Sequence, residues 1–295
     1  MDRVALTDGL ELSRIVYGMW RVIDDVSDPA RVQAKIEACL EQGITTLDQA
    51  DIYGHYLAES VLGGMFRVAP HLRDKVEIVT KCGIVLPGGP IRARVKHYDT
   101  SRRHIRTAVE ASLAKMRIER IDLLLLHRPD PFMDPGETAR ALDDLVTEGK
   151  VRALGVSNFR PQDWRLLQAF LGTGLVTNQI EMSLLRPDPF LNDELAFLQE
   201  RRIAPMAWSP LGGGALFSNE NSALSELLDD IAARHGTGRA AVAVAWLLAH
   251  PAKIMPVVGT NSPERIRELS DALTVDMDRQ TWFELLTAAT GHEVL

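Results

Sequence analysis

The chain has 295 residues, a hydrophobic fraction of 46%, a charged fraction of 25% and a formal net charge of −7. This is ordinary globular usage, and the acidic balance argues against nucleic acid as a partner. Cys39 and Cys82 are far apart and have no CxxC neighbour, so we expect neither a disulfide framework nor a zinc site, and we expect a reducing cytoplasm. No signal peptide or apolar run of ~18 residues is visible, which predicts a soluble protein without a membrane partner.

Short apolar strands alternate with amphipathic helical segments along the chain. A hairpin around the Asp8-Gly9 turn comes first. Eight apolar strands are predicted next, at 15–20, 44–47, 76–80, 121–126, 151–156, 176–181, 204–208 and 254–258. Segments with helical spacing lie at 29–42, 58–68, 101–116, 136–148, 162–170, 190–201, 225–234, 239–248, 264–273 and 279–289.

This alternation predicts the fold class. Strands that alternate with helices form parallel sheets, and eight repeats in one chain favour closure into a (β/α)8 TIM barrel. We therefore predict a single α/β barrel domain over residues 1–295, with an N-terminal β-hairpin across its closed end and an extra C-terminal helix. A doubly wound nucleotide-binding fold needs GxGxxG after its first strand. The stretch at 18–20 does not match that motif, and the glycines at 212–214 come too late.

Polar side chains stand where three of these strands end. Asp48 follows the strand at 44–47, Lys81 follows the strand at 76–80, His127 follows the strand at 121–126, and Tyr53 lies in the loop beyond Asp48. The carboxyl ends of barrel strands form the face that carries active sites. We expect Lys81, with Asp48 as counter-ion, to lower the Tyr53 pKa from its usual value of ~10. Such a set suits protonation of an oxygen that gains negative charge.

Each of these residues also has an ordinary structural explanation when taken alone. Asp48 or Lys81 would suit a solvated cap or a surface ion pair, His127 a turn, and Tyr53 packing beneath a loop. The grouping of all four at the ends of three neighbouring strands favours the catalytic interpretation.

Ordered motifs at these strand ends resemble those of the aldo-keto reductase superfamily, and in particular its bacterial reductases. The motifs are Leu47-Asp48-x-Ala50-x-x-Tyr53-Gly54, Thr80-Lys81-Cys82-Gly83, Leu125-Leu126-His127-Arg128-Pro129, Gly155-Val156-Ser157-Asn158-Phe159, Asn178-Gln179-Ile180-Glu181 and Trp208-Ser209-Pro210-Leu211-Gly212. The resemblance runs from Gly18 to Thr260. It implies reduction of a small aldehyde or ketone with NADPH, by hydride transfer and without a metal.

The resemblance also implies residue roles. Tyr53 would be the general acid, Lys81 and Asp48 its tuning pair, and His127 the group that orients the carbonyl. Ser157, Asn158 and Gln179 would hold the nicotinamide carboxamide, and Trp208 would stack on the ring in place of the family's usual tyrosine. Further residues implied at the cofactor are Gly18, Met19, Trp20, Asp48, Ser209, Pro210, Leu211, Gly212, Gly259, Thr260, Asn261, Arg265 and Glu268.

The chain departs from the family at the adenosine end of this cofactor site. Gly259 stands where many members place a lysine for the 2′-phosphate of NADP, and Leu269 replaces an asparagine that grips adenine. Arg265 remains as a phosphate partner. NADPH is the expected cofactor, with NADH as the alternative.

The long connection at 83–100 is predicted to act as a lid on the substrate side. It holds Arg92, Arg94, Lys96 and His97, which would favour acidic or phosphorylated carbonyl substrates; a solvated charge run is the plainer explanation. The substrate pocket is expected to include Trp20, Tyr53, His127, Arg92 and Arg94.

Two other function classes stay open at this point. The first is a nicotinamide-loaded binding or regulatory subunit with little turnover, which the intact set of four polar residues argues against. The second is an aldolase-type barrel in which Lys81 forms a Schiff base, although pairing with Asp48 would keep that lysine charged. The oligomeric state is taken as monomeric by default.

Overall fold

The computed structural model describes residues 1–25, 28–218 and 222–294. Its strands are β1 Arg3–Thr7, β2 Leu10–Ser13, β3 Val16–Gly18, β4 Thr46–Asp48, β5 Glu77–Cys82, β6 Ile84–Val85, β7 His97–Tyr98, β8 Ile121–Leu126, β9 Val151–Ser157, β10 Leu175–Glu181, β11 Met206–Trp208 and β12 Met255–Val258. Its α-helices are α1 Pro29–Glu41, α2 Tyr53–Tyr56, α3 Ala58–Val68, α4 Arg102–Met116, α5 Pro135–Thr147, α6 Pro161–Gln168, α7 Asp188–Leu191, α8 Asp193–Glu200, α9 Ser222–His235, α10 Arg239–Leu248, α11 Pro263–Arg267 and α12 Arg279–Thr290. Short 3-10 segments lie at Val22–Asp25, Pro70–Lys75, Gly212–Phe217 and Leu269–Leu273.

Eight parallel strands close into a barrel in the order β3-β4-β5-β8-β9-β10-β11-β12, and β12 pairs with β3. Helices lie between successive strands, so the predicted (β/α)8 architecture is confirmed. In β8 the last four residues, 123–126, are all leucine. Leu123 and Leu125 pack inside the barrel, whereas Leu124 and Leu126 pack against the helices, so both faces of the strand are buried.

The hairpin of β1 and β2 covers the amino-terminal end of the barrel, as predicted. Leu10 and Leu12 pack into the same apolar cluster as Leu123 and Met206. Arg3 donates a hydrogen bond to Thr45 Oγ1 at 2.8 Å and fixes the hairpin beside the start of β4. Because this end is plugged, the opposite, carboxyl-terminal end is the open mouth.

The C-terminal helix α12 packs on α10 through two tryptophans. The rings of Trp246 and Trp282 stack with centroids 5.0 Å apart, and each indole N–H donates to the other residue's carbonyl at 3.0 Å. None of the helices in the described residues is long and apolar enough to cross a membrane.

Two predicted helices are interrupted. The segment 190–201 breaks at Asn192, whose extended backbone and side chain cap α8 through a 2.8 Å hydrogen bond from the Glu194 N–H. The segment 264–273 is helical only to Arg267. From Glu268 onward its hydrogen bonds tighten to the i→i+3 pattern, as in Asp271 N–H to Glu268 O at 3.1 Å.

Candidate active site

Four polar residues meet at the open mouth of the barrel. Asp48 is the last residue of β4, Lys81 lies near the end of β5, and His127 directly follows β8. Strand pairing sets Asp48 beside Val79 and Lys81 beside Leu125, which brings these strand ends together. Tyr53 begins α2, five residues after Asp48, and its side chain reaches the same place.

Lys81 is the centre of this group. Its ammonium donates to both Asp48 carboxylate oxygens at 2.8 and 2.7 Å, to the Gln49 carbonyl at 2.8 Å and to the Tyr53 hydroxyl at 3.0 Å. Lys81 is 1% exposed and Asp48 is 2% exposed, so the ion pair is fully removed from water. Since a lysine has three N–H donors, all of them are engaged. Tyr53 accepts from Lys81, and its own proton is therefore available to another acceptor.

The charge states follow from burial and from these contacts. Burial opposes the charge on Lys81, but Asp48 and Tyr53 outweigh it and raise the Lys81 pKa, so the lysine is cationic. A charged and fully engaged ammonium does not favour a Schiff-base lysine. The expected lowering of the Tyr53 pKa was wrong in direction. Burial raises the phenol's pKa above 10 by more than the nearby Lys81 lowers it, so Tyr53 carries its proton at neutral pH.

His127 lies edge-on to Tyr53, with ring centroids 6.0 Å apart and an interplanar angle of 75°. Burial, followed by the positive charges of Lys81, Arg128 and Lys96, lowers the His127 pKa well below 6.5. The ring is therefore neutral at pH 7 and has one N–H donor. Its Nδ1 atom is buried and has no hydrogen-bond partner within the described part of the chain.

Two cations to which sequence analysis assigns no catalytic role, Arg128 and Lys96, act on this group. Arg128 lies with its guanidinium 5.6 Å from the Trp208 ring centroid, and its charge acts on both Tyr53 and His127. Lys96, from the connection between β6 and β7, also acts on His127. The position of Arg128 directly after a strand-end histidine was the available signal.

Side chains from β9, β10 and β11 form a connected network next to Asp48. Ser157 donates to the Gln179 carbonyl at 2.9 Å, and the Asn158 amide donates to Ser157 Oγ at 2.8 Å. The Trp208 indole donates to Asn158 Oδ1 at 2.9 Å. Gln179 then reaches Asp48 Oδ1 with its amide at 2.8 Å. The four residues predicted at the nicotinamide are thus brought together and linked to the Lys81–Asp48 pair.

The segment after β3 lies at the same open end of the barrel. The Met19 N–H donates to the Asp48 carbonyl at 2.9 Å and Met19 is buried, whereas Trp20 is 59% exposed and stands beside the opening. Gly18 packs closely on β12: a Cβ on Gly259 would lie 2.8 Å from the Gly18 carbonyl oxygen. Arg21 extends to the segment after β11 and donates to the Gly213 carbonyl at 3.3 Å.

The loops after β11 and β12 turn sharply. Ser209 and the glycines at 212–214 have positive φ angles between 51° and 106°. The Gly212 N–H, expected at the pyrophosphate, donates to the Ser209 carbonyl at 2.8 Å within this turn. Pro210 has no N–H to offer, and Leu211 is half-buried beside it.

The residues after β12 are those expected at the adenosine end of the cofactor site. Asn261 is engaged on both sides, because its amide donates to the Arg21 carbonyl and its oxygen accepts from Lys35 at 3.0 Å. The Thr260 carbonyl accepts from the Tyr17 hydroxyl at 2.8 Å. Arg265 and Glu268 are exposed. Arg265 makes no ion pair with any residue that the structure describes.

The predicted lid is partly ordered by the antiparallel pair β6 and β7. Arg92 and Arg94 are exposed on the segment between these strands. No hydrogen bond or ion pair links either arginine to Tyr53 or His127 over residues 1–25, 28–218 and 222–294. Lys96 is the cation of this segment whose charge reaches His127.

Comparison with known proteins agrees with this geometry. The model of the aldo/keto reductase family matches residues 14–287. A 6-dehydroglucose reductase from Agrobacterium fabrum is 64% identical, with 100% of both chains aligned. A protein of the same name from Novosphingobium aromaticivorans is 42% identical, over 97% of this chain and 94% of the relative.

A solved structure shares the fold. The glycerol dehydrogenase from Gluconobacter oxydans superposes with a TM-score of 0.85, over 100% of this chain and 98% of that one, at 24% identity. The family match covers most of the chain. The polar residues at the strand ends of this chain form one connected site. The chain therefore belongs to the aldo/keto reductase family of oxidoreductases, which reduce carbonyl compounds.

Proposed function

We propose that this enzyme uses NADPH to reduce the aldehyde of a hexose oxidised at C6, 6-dehydroglucose, to the primary alcohol. The observation that carries the chemistry is the buried Lys81, which holds the Tyr53 hydroxyl as an acceptor and leaves its proton available. The substrate is inferred from two relatives, 64% and 42% identical, that are both named 6-dehydroglucose reductase.

Tyr53 acts as the general acid in this proposal. When hydride adds to the carbonyl carbon, the oxygen gains negative charge and takes the phenolic proton. The phenolate left behind lies 3.0 Å from the Lys81 ammonium, which stabilises it. Asp48 keeps Lys81 charged and in place. His127, being neutral, donates one N–H to the carbonyl oxygen and orients it.

The residues at the mouth fit a nicotinamide cofactor. Trp208 is half-buried, with its indole N–H fixed by Asn158, so the ring has a defined plane for stacking. Ser157 and Asn158 lie beside it, and Gln179 links them to Asp48. Reduced nicotinamide, when bound, supplies the hydride. Ser157, Asn158 and Gln179 would orient its carboxamide, and the segment at 209–212 would border the pyrophosphate.

NADPH is favoured over NADH by Arg265. This guanidinium is exposed on the first turn of α11, which follows Thr260 and Asn261 in the chain, and can pair with a 2′-phosphate. Gly259 supplies no charge of its own. A modest preference for NADPH is therefore expected, and Arg265→Ala should reduce it.

The cations at the mouth suit a substrate with several hydroxyl groups. Arg128 and Lys96 both act on His127, and a guanidinium is a strong donor to hydroxyl oxygens. The alternative that Arg92 and Arg94 select acidic carbonyl compounds stays a prediction. A carboxylate-bearing aldehyde tested with Arg92→Ala and Arg94→Ala distinguishes the two, because only the second predicts that these substitutions lower kcat/KM for the charged aldehyde more than for a neutral one.

We also propose that residues 1–295 act as one catalytic domain, and that the enzyme is monomeric and cytoplasmic. The family match over residues 14–287 supports the first point. The buried free thiols of Cys39 and Cys82 suit a reducing compartment.

The experiment is a substrate panel with NADPH and NADH, followed by the absorbance of the reduced nicotinamide. It compares 6-dehydroglucose, propanal and succinic semialdehyde with the wild type and with Arg128→Met. We expect the highest kcat/KM for 6-dehydroglucose. Arg128→Met should lower that value about tenfold, in line with one charged hydrogen bond, and change propanal about twofold or less. Equal kcat/KM values for 6-dehydroglucose and propanal would overturn the substrate assignment.

A further inference from the structure

The short segment α2 is not a regular right-handed helix, because residues 54–56 form a left-handed turn after Tyr53. Gly54, His55 and Tyr56 have φ values of 57°, 52° and 68°, and the Leu57 N–H closes the turn on the Tyr53 carbonyl at 3.2 Å. Non-glycine residues avoid this conformation, so His55 and Tyr56 need contacts that hold them there. The position of Tyr53 depends on the same turn, because Tyr53 is its first residue.

The side chain of Tyr56 makes such a contact with the connection at 83–100, the predicted lid. The Tyr56 hydroxyl accepts a hydrogen bond from the Leu86 N–H at 3.0 Å. The Tyr56 ring also packs against Gly89 so closely that a Cβ on that glycine would lie 2.4 Å from Cε2. We call residues 86–96 the substrate-side loop. Its two ends are paired through β6 and β7, and Tyr56 contacts it near its start.

The ring of Tyr56 also contacts a charged residue of the helix layer. Lys115 of α4 has its ammonium 5.6 Å from the ring centroid and lies 3.9 Å from Glu59 Oε2. Tyr56 is half-buried, with the ring between α4 and the substrate-side loop. The side chain thus connects the barrel's outer helix layer, the catalytic turn and the loop.

We propose that Tyr56 is a positioning residue that anchors the substrate-side loop to the turn carrying Tyr53. The loop ends at Lys96, whose positive charge acts on His127, so the placement of the loop sets how strongly that charge is felt at His127. Loss of the anchor frees the loop without removing any group that touches the reacting atoms. Substrate affinity then falls, whereas the proton transfer from Tyr53 is retained.

The test is Tyr56→Phe, which keeps the ring against Gly89 and removes only the hydroxyl contact. The matched control is Tyr98→Phe in β7, since the Tyr98 hydroxyl has no hydrogen bond to any described residue. We expect Tyr56→Phe to raise KM for the aldehyde about 3- to 10-fold, the range of one neutral hydrogen bond. The value of kcat and the Kd for NADPH should stay within about twofold of wild type.

A second measurement needs no activity and separates this inference from the proposed substrate. Limited trypsin digestion of the folded protein should cleave after Arg92, Arg94 or Lys96 at least about threefold faster in Tyr56→Phe than in wild type or Tyr98→Phe. Gly89→Ala, which displaces the Tyr56 ring, should give the same pattern. Unchanged cleavage and unchanged KM in Tyr56→Phe would overturn the proposal. A fall in kcat with KM unchanged would also overturn it, because Tyr56 would then act on Tyr53 and not on the loop.

Discussion

The buried pair of Asp48 and Lys81 gives a quantitative prediction about both stability and catalysis. Each Asp48 oxygen accepts from the Lys81 ammonium, and Oδ1 also accepts from Gln179. In Asp48→Asn one of these oxygens becomes an NH₂ group that faces a donor. The substitution also leaves the Lys81 charge without its counter-ion.

The loss of unfolding free energy follows from the burial of the ion pair. Removing one partner of a buried ion pair costs about 3–5 kcal/mol of unfolding free energy, because the other charge stays uncompensated. We expect this loss for Asp48→Asn and a similar loss for Lys81→Met. The double variant buries no charge at the site. Its loss should be smaller than the sum of the two single losses by about 2–3 kcal/mol.

The assay is urea denaturation of all four proteins, followed by tryptophan fluorescence, with aldehyde reduction measured in parallel. The double variant should lose less stability than the two single losses added together, and it should stay inactive, since Tyr53 then lacks the Lys81 ammonium. Two outcomes would refute the reasoning. One is additive stability losses, and the other is a loss below about 1 kcal/mol in Asp48→Asn, the size of a surface pair.

Three further predictions come from other parts of the structure. His127 should be a neutral imidazole at pH 7 in ¹⁵N NMR spectra and protonate only well below pH 6.5; a midpoint at or above 6.5 contradicts the lowered pKa. Burial, and then Glu59, raises the Asp51 pKa well above 3.8. Between the pKa of Asp51 in the unfolded chain and its higher pKa in the native state, the native state keeps a proton that the unfolded chain has lost. The protein therefore loses stability as the pH rises through this range. Asp51→Asn should be more stable than wild type at pH 8, with the gain vanishing near pH 4; an equal gain at both pH values contradicts this. Gly63→Ala should destabilise strongly in thermal unfolding, because its Cβ would lie 1.9 Å from the Lys115 carbonyl oxygen. Gly64→Ala, next to it on α3, would place its Cβ at an ordinary contact distance of 3.9 Å from Pro29 Cγ and should gain about 0.5–1 kcal/mol.

The strand ends could be predicted from the sequence because their signal is local. A buried strand has a continuous apolar run, and the residue that ends it projects at a known face of a barrel. This is why Asp48, Lys81 and His127 could be grouped before any coordinates. The boundaries moved by only one or two residues, as for β4, which is Thr46–Asp48 and so includes the carboxylate itself.

The contacts that were missed depend on closure of the barrel or on local strain. Gln179 and Asp48 are 131 residues apart, and only the paired strands bring the amide to the carboxylate. The left-handed turn at 54–56 has glycine at only one of its three positions. Glycine is the residue expected at positive φ, so the sequence indicates this conformation at Gly54 but not at His55 or Tyr56. The direction of the Tyr53 pKa also needed the structure, because burial and a nearby cation oppose each other.

The measurement that tests the central claim most directly is reduction of an aldehyde by Tyr53→Phe under single-turnover conditions with bound NADPH. The Phe side chain keeps the ring and removes the one proton donor that Lys81 holds at 3.0 Å. The account predicts NADPH binding close to that of wild type and a reduction rate lower by about 10²- to 10⁴-fold. A variant that binds NADPH and reduces the aldehyde within about tenfold of the wild-type rate would contradict the assignment of Tyr53 as the general acid.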